Sequence, residues 1–456
     1  MTLSKPLLNP DDLPDELIVH IITLAFYGTD HTSRKPHNRP VCAPYFPYTA
    51  LFVNWRWHRL AFNTPVFWTR VCAWVDDEFD PERFRTRALR HVELSQMLAS
   101  SMHLIVQVYQ SYDQCRAECR TRRASDDVVL HHGPPFLSSL KIGKASWTSM
   151  SVISQDNICT EFIRGHILLE SGQNDDSPIS DLRSLDIEVV AGQCGVYRSS
   201  FESIVWCSET VPNLRRLRIK SLQFPWDLAV SNVRVVRSDS IRSMCLDRIH
   251  ASAMYMIGKM ECPSLETLFV RCIWNVEVEH DQRVREMIAA GTVALPSVHS
   301  AILINIPDCA VAWVLDGIRN VERLGISSLD RYLGRPVIRH LLENKPCPAL
   351  STLALLEDLD QDSAKELVAL FADRRTHFLN EVWTVRGRGE ELFREKVLSE
   401  QKDGSVRHRF FSAQELEPEE LWKEFDIQIC ACISIFRDQQ WLIASLLSCR
   451  ILDRSC

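Results

Sequence analysis

Three short runs near the N-terminus decide how the fold is read: LPDEL at residues 13–17, VNWRW at 53–57 and TPVFW at 64–68. The first run predicts the start of a helix, because Asp11 or Asp12 can cap it and Pro14 fits a first turn that needs no N–H. Asp15 and Glu16 then lie at the N-terminal end of this helix, where the positive end of the helix dipole favours negative charge. Apolar residues follow at helical spacing in a wide stripe: Leu13, Leu17, Ile18, Ile21, Ile22, Leu24 and Ala25.

The other two runs predict a second helix over about residues 49–62 and a third, very short helix that begins at Thr64 and Pro65. Three helices this short cannot bury their own Leu, Ile, Phe and Trp side chains, because small domains hide too little of their surface. We therefore expect another surface to cover them. The alternative is an ordinary helical cap, in which Trp57 and Trp68 pack on the first strands of the chain itself.

In order and in residue type, the three runs resemble the F-box, the docking module of substrate adaptors for cullin-RING ubiquitin ligases. The resemblance covers about an eighth of the chain, and it departs from the family in a longer connection over residues 27–48 and in Asn54, where cysteine is common. It implies that the chain binds a Skp-family adaptor, and a cullin through it. The residues that it places on the docking surface are Leu13, Pro14, Leu17, Ile21, Val53, Trp57, Leu60 and Trp68.

Composition restricts the class of protein further. The chain has 456 residues, 46% hydrophobic and 24% charged, with a net charge of −7, so it is globular and offers no general attraction to nucleic acid or anionic lipid. Its 16 cysteines are scattered without a disulfide framework, which favours the cytoplasm or the nucleus. The apolar stretch 430–447 is interrupted by Arg437 and Asp438, so we expect no transmembrane segment.

The chain beyond the F-box-like part predicts a connecting helix within residues 76–99, a strand at 102–109 and then an internal repeat. The repeat places apolar residues at positions 1, 4 and 6, and the last two positions face the same side of a strand. Its eight copies begin at Leu137, Leu182, Leu214, Ile241, Leu265, Val298, Val321 and Leu350, at irregular intervals and with helical segments between them.

This pattern resembles the leucine-rich repeat, although the Asn or Cys expected three residues after the last apolar position is absent. The resemblance implies an α/β fold: an N-terminal three-helix F-box followed by a right-handed solenoid with parallel strands on its concave face. Ordinary α/β core strands remain the alternative. The predicted units are a tail (1–10), the F-box-like helices (11–75), a connecting helix and first strand (76–132), the repeats (133–395) and a C-terminal cap or tail (396–456).

Sequence signatures of enzymes and cofactor sites fail in detail. Gly143-Lys144 is followed by Ala145 rather than a hydroxyl residue, so it is not a phosphate-binding loop. Residues 387–392 lack the last glycine of a dinucleotide site, and residues 358–369 lack the glycine and the final acid of a calcium loop. A zinc site at Cys115, Cys119, His131 and His132 is disfavoured, because adjacent histidines point apart. We expect no catalytic residue, no cofactor and no metal.

The sequence therefore predicts a substrate-recognition adaptor of an SCF-type ubiquitin ligase, whose repeats bind the substrate on the inner strand face or the edge loops. Two alternatives stay open. One is a repeat scaffold that binds proteins without a ligase, and the other is an α/β enzyme whose site the sequence does not reveal.

Overall fold

The computed structural model describes residues 13–28, 48–75, 80–95, 102–108, 140, 146–154, 179–189, 211–221, 236–250, 257–258, 260–273, 293–306, 308–328, 335–344, 346–356, 365–366, 381–385 and 407–411. Every structural statement below concerns these residues.

The N-terminal part is helical as expected, but with one more break than the sequence suggests. Its helices are α1 (Asp15–Gly28), α2 (Tyr48–Leu51), α3 (Trp55–Phe62) and a 3-10 helix (Pro65–Trp68). The predicted helix over residues 49–62 is divided because Asn54 is extended, with φ −163° and ψ 176°, and its side chain accepts a hydrogen bond from the backbone N–H of Trp57. Asn54 thus begins a new helix as an N-cap.

The described part of the chain contains three further helices and fourteen strands. The helices are α4 (Pro81–Ser95), at the predicted connecting segment, α5 (Asp308–Gly317) and α6 (Arg335–Asn344). The strands are β1 Arg70–Val75, β2 Met102–Val108, β3 Trp147–Ser154, β4 Ser184–Val189, β5 Arg216–Ser221, β6 Val236–Arg237, β7 Ser243–His250, β8 Met260–Glu261, β9 Thr267–Ile273, β10 Ser300–Ile306, β11 Arg323–Ser328, β12 Thr352–Leu355, β13 Glu381–Val385 and β14 Arg407–Phe411.

Twelve of these strands form one open sheet in which every neighbouring pair is parallel, and β6 and β8 form a separate two-stranded sheet. The strands of the large sheet follow one another in chain order, with only β6 and β8 left out. The sheet begins with β1, inside the segment predicted as F-box-like, and it continues to β14, beyond residue 395. An α/β fold with an open parallel sheet is therefore confirmed.

The register of the sheet aligns the repeat copies position by position. The fourth residue of each copy pairs with the fourth residue of the next, in a row that the sheet extends at both ends: Val71, Leu104, Met150, Leu185, Leu217, Met244, Leu268, Ala301, Leu324, Leu353 and Val382. The sixth residues form a second row beside it, from Ala73 to Leu355. Both rows are buried in one continuous hydrophobic core, which also takes in the apolar sides of α4, α5 and α6.

A tight turn precedes most strands and explains the prolines of the repeat. In six of the eight copies the first residue donates its backbone N–H to the carbonyl three residues earlier, on Ile179, Val211, Cys262, Leu295, Ile318 and Cys347. These six residues are all buried, so these copies have one more apolar position than the sequence pattern shows. In four copies a proline follows at once, at the second turn position that its fixed φ favours.

Two β-bulges place an apolar side chain where the leucine-rich repeat has Asn or Cys. Arg248 and Asn305 have positive φ, 54° and 53°, and each lies two residues after the sixth position of its copy, where the strand register shifts. The extra residue turns the next side chain inward, so that Ile249 and Ile306 are buried. In these two copies an apolar side chain fills the place expected for Asn or Cys.

The first predicted copy, at Leu137, differs from the rest. Leu140 lies in a buried turn, while Leu137 and Ile142 are outside the described residues. The next strand in the sheet is β3, whose Trp147, Met150 and Val152 occupy the three apolar repeat positions.

Candidate docking surface

Helix α1 divides the predicted apolar stripe into a buried side and an exposed side. Ile18 and Ile22 are buried in a core that the N-terminal helices share. Leu17 and Ile21 are 48% and 37% exposed. Residues one position apart are turned by 100° around a helix, so a stripe this wide cannot be covered by one neighbouring helix. The exposed pair is free to contact another protein.

An ion pair joins α1 to α3. The guanidinium of Arg56 donates from Nε to Asp15 Oδ1 at 2.6 Å, and Arg59 donates to the other carboxylate oxygen at 3.1 Å. Asp15 is also the first residue of α1, where a negative charge meets the positive end of the helix dipole. All three side chains are partly exposed, so the pair accompanies the burial of Ile18 and Ile22 in the shared core and does not decide it.

The turn between α2 and α3 carries the most exposed apolar side chains of this part. Val53, which the sequence places on the docking surface, is exposed, and its neighbours Phe52 and Trp55 are 86% and 77% exposed. Sequence reasoning missed both, because Phe52 precedes the VNWRW run and Trp55 occupies a position in that run to which the resemblance assigns no role. Asn54 is the signal that predicts a helix start there, with Trp55 in the first turn of the helix.

Three more of the predicted docking residues are only partly exposed. Leu13, Trp57 and Leu60 all pack against the helical core cluster. Within the described chain the indole Nε1 of Trp57 has no hydrogen-bond partner, although its atom is buried. Pro14 is exposed, and its carbonyl accepts the N–H groups of Leu17 and Ile18 at the start of α1.

Trp68 does not lie on the docking surface that the sequence predicts for it. Its side chain is 1% exposed, and its Nε1 donates to the carbonyl of Ala61 at 3.1 Å. Its ring makes edge contacts with Tyr48 and with His91 of α4. Because the 3-10 helix runs straight into β1, Trp68 is placed where the helices meet the sheet, and a large aromatic residue fills that junction.

Large exposed apolar side chains are confined to one end of the described chain. They are Leu17, Ile21, Phe52, Val53, Trp55, Phe62 and Leu89, all within α1 to α4. Among the residues whose side-chain burial is described, the strands of the large sheet contribute none to this set. Six of the seven lie within residues 13–68, and exposed apolar side chains concentrated in this way mark a protein interaction site. Leu89, on α4, lies outside that segment.

The second face of the sheet, opposite the main core, does not offer the open surface expected for a substrate. Phe269 and Ile302 are fully buried there, and so is Asp247, which accepts a hydrogen bond from Arg271 at 2.6 Å. On β4 and β5 the charged side chains pair across strands, Arg218 with Asp186 and Lys220 with Glu188.

The edge of the sheet is more accessible than its second face. The residues that stand just before the strands of the large sheet form a row across one end of these strands, which we call the edge row. From Arg183 to Glu322, the backbone N–H of each residue in this row donates to the carbonyl of the equivalent residue at the neighbouring strand. The exposed members of this row are Arg183, Arg215, Arg242, His299 and Glu322. Of the two sites predicted for a substrate, the edge therefore presents more exposed side chains.

Thiol chemistry finds no support at the described cysteines. Cys72, Cys245, Cys262, Cys272 and Cys347 are free and buried. Burial raises the pKa of Cys72 and of Cys262 to about 11, and that of Cys272 and Cys347 to about 12. A thiol with so high a pKa is a poor nucleophile at neutral pH.

Over the described ranges no cluster of three metal-ligating side chains occurs, and no helix there is long and apolar enough to cross a membrane. The disfavoured zinc residues, Cys115, Cys119, His131 and His132, lie outside these ranges, as do Gly143, the dinucleotide-site segment and all of the calcium-loop segment except residues 365–366.

No protein-family model matches this chain, and no curated protein matches it.

Proposed function

We propose that the chain is the substrate-recognition adaptor of an SCF-type cullin-RING ubiquitin ligase, with an F-box formed by residues 13–68. The observation that carries the proposal is the concentration of large exposed apolar side chains in this segment, which holds six of the seven found among the described residues. The ordered F-box-like motif supplies the identity of the partner, a Skp-family adaptor that links the chain to a cullin.

The exposed side of α1 and the turn before α3 fit a docking role physically. Fully burying a side chain such as Leu17 or Ile21 contributes about 1.5–3 kcal/mol relative to leaving it in water. Several such residues on one small unit make its exposure unfavourable unless a partner covers it. The buried side chains of the helical core support this surface, because Trp68, Ile18 and Ile22 hold the helices in the orientation that presents it.

In this proposal the sheet is a right-handed leucine-rich-repeat solenoid, with the parallel strands on its concave face. Its support is the alignment of equivalent repeat positions in two uninterrupted buried rows. Because side chains on the second face of the central strands are buried, we assign substrate binding to the exposed edge row, Arg183 to Glu322.

The chain itself performs no chemistry in this proposal and requires no cofactor or metal. It holds a bound protein substrate near the ubiquitin conjugate that the ligase carries, which replaces a dilute encounter with a high local concentration. The site of action is the cytoplasm or the nucleus, and neither nucleic acid nor a membrane takes part.

The test is affinity purification of the full chain from cells followed by mass spectrometry, with the variants Leu17→Glu and Leu89→Glu. Both residues are exposed, so both variants should fold. The wild type and Leu89→Glu should recover a Skp-family adaptor and a cullin, while Leu17→Glu should lose both and keep substrates that the repeats bind. Recovery of other proteins without adaptor or cullin in the wild type would favour the scaffold alternative.

A further inference from the structure

Helix α3 carries an aromatic stack on the side that faces away from the core. The rings of Trp55 and His58 are 5.6 Å apart between centroids with an interplanar angle of 14°, and those of His58 and Phe62 are 6.1 Å apart at 11°. The spacing i, i+3, i+7 puts all three on one side of the helix. Trp57, Leu60 and Ala61 lie on the opposite side, against the core.

The stack is held at its middle ring and at its Phe62 end. The ring nitrogen Nδ1 of His58 lies 3.3 Å from the carbonyl oxygen of Leu51, and Phe62 makes an edge contact with the buried Trp68. The guanidinium of Arg90, on α4, lies 6.0 Å from the centre of the Phe62 ring. An exposed Trp held in this way loses little conformational freedom on binding, which is the property of an energetic anchor.

The charges around the stack are mainly positive. Arg56 and Arg59 share the single carboxylate of Asp15, so this group of three carries one net positive charge. Arg59 on α3 and Arg90 on α4 are both exposed, and Arg90 pairs with Glu93 at 3.3 Å, so the net positive charge beside the stack comes from the group of Arg56, Arg59 and Asp15. A complementary partner surface therefore combines an apolar pocket for Trp55 with carboxylates at its border.

We infer that Phe52 and Trp55 anchor the docking partner of this chain, and that the partner receives them in an apolar pocket bordered by acidic residues. This inference rests on the proposed function, since the partner is the same Skp-family adaptor. It extends the docking surface beyond the residues of the F-box-like motif and makes Trp55 its main affinity determinant.

The experiment is titration of purified full-length chain with purified Skp-family adaptor, for the wild type and for Trp55→Ala, Phe52→Ala, His58→Ala and Leu89→Ala. We expect Trp55→Ala to weaken binding by about 30-fold or more, as for an interface hot spot. His58→Ala, which leaves Trp55 in place without its support, should weaken binding less, and Leu89→Ala should leave it unchanged. Thermal unfolding of each variant checks that the exposed substitutions preserve the fold.

A salt series tests the acidic border. The affinity of the wild type should fall as NaCl rises, and Arg59→Gln should reduce that dependence while Trp55→Ala keeps it. If the wild type binds and Trp55→Ala binds equally well, the inference is overturned and the proposed function stands. If the wild type does not bind the adaptor at all, the proposed function fails and the inference fails with it.

Discussion

The indole Nε1 of Trp68 donates a hydrogen bond to the carbonyl oxygen of Ala61, seven residues earlier in the chain. Trp147 makes the same contact with Leu140, also seven residues earlier, at 2.9 Å. Each tryptophan lies three residues before the first buried row of the sheet, at Val71 and at Met150. The same tryptophan contact therefore precedes β1 and β3, and only Thr69 separates the last helix of the helical part from the sheet.

Replacing Trp68 with Phe should destabilise the chain while leaving its docking surface in place. The smaller ring loses the indole hydrogen bond to the carbonyl of Ala61, which keeps a longer bond from the backbone N–H of Thr64 at 3.5 Å, and it leaves part of the buried space unfilled. Together we expect these losses to cost about 1–3 kcal/mol. Trp55→Phe is the matched control, because its indole is exposed and the change should lie within about 0.5 kcal/mol. Urea denaturation measures both, and equal midpoints for the two variants would contradict the assigned role of Trp68.

The stability of the chain should decrease with acidification through His91. Burial lowers the pKa of His91 from 6.5 to about 4, although its contact with the carbonyl of Trp68 opposes that shift. Between these values the unfolded chain binds a proton that the folded chain does not, so stability falls as the pH drops from about 6.5 to about 4, by up to about 3 kcal/mol. Denaturation midpoints across this range should depend less on pH in His91→Gln, and identical slopes would refute the assignment.

Breaking the buried ion pair between Asp247 and Arg271 should be costly. Asp247→Leu alone leaves the Arg271 guanidinium beside an apolar side chain, with an expected loss of about 3–5 kcal/mol. Adding Arg271→Met removes the uncompensated charge and should restore much of the stability. A double-mutant cycle by chemical denaturation measures the coupling, and simple additivity of the two single effects would count against a paired role.

Gly317 should not tolerate alanine, although alanine usually favours helices. A Cβ at Gly317, the last residue of α5, would lie 2.6 Å from the backbone oxygen of Val293. We expect Gly317→Ala to lower the melting temperature, since overpacking costs about 1–3 kcal/mol whereas helix propensity would add about 1 kcal/mol. A higher melting temperature would show that the residues 293–295 can move away.

Most of the repeat strands could be predicted from the sequence, because two apolar side chains two positions apart have few alternatives to one face of a strand. Strands β1 and β3 were missed because Trp68 and Trp147 fill the position that Leu holds elsewhere. A search limited to aliphatic residues does not find these copies. The bulges at Arg248 and Asn305 could not be foreseen, since neither residue type requires a positive φ.

The docking surface could be predicted only in part, for a reason that involves distant residues. Leu17 and Ile18 are equally apolar neighbours, and the sequence alone does not say which of them is buried. That choice depends on the packing of α1 against α3, where Asp15 contacts Arg56, 41 residues away. The burial of Trp68 depends in the same way on its contact with α4.

Calorimetric titration of the full chain with a purified Skp-family adaptor tests whether the exposed side of α1 is the docking surface. The variants are Leu17→Ala combined with Ile21→Ala, and Leu89→Ala as a control with the same exposure as Ile21, 37%. The wild type and Leu89→Ala should bind alike, and the double variant should bind at least about tenfold more weakly at unchanged stability. No binding by the wild type, or equal binding by the double variant and the control, would contradict the docking role of α1.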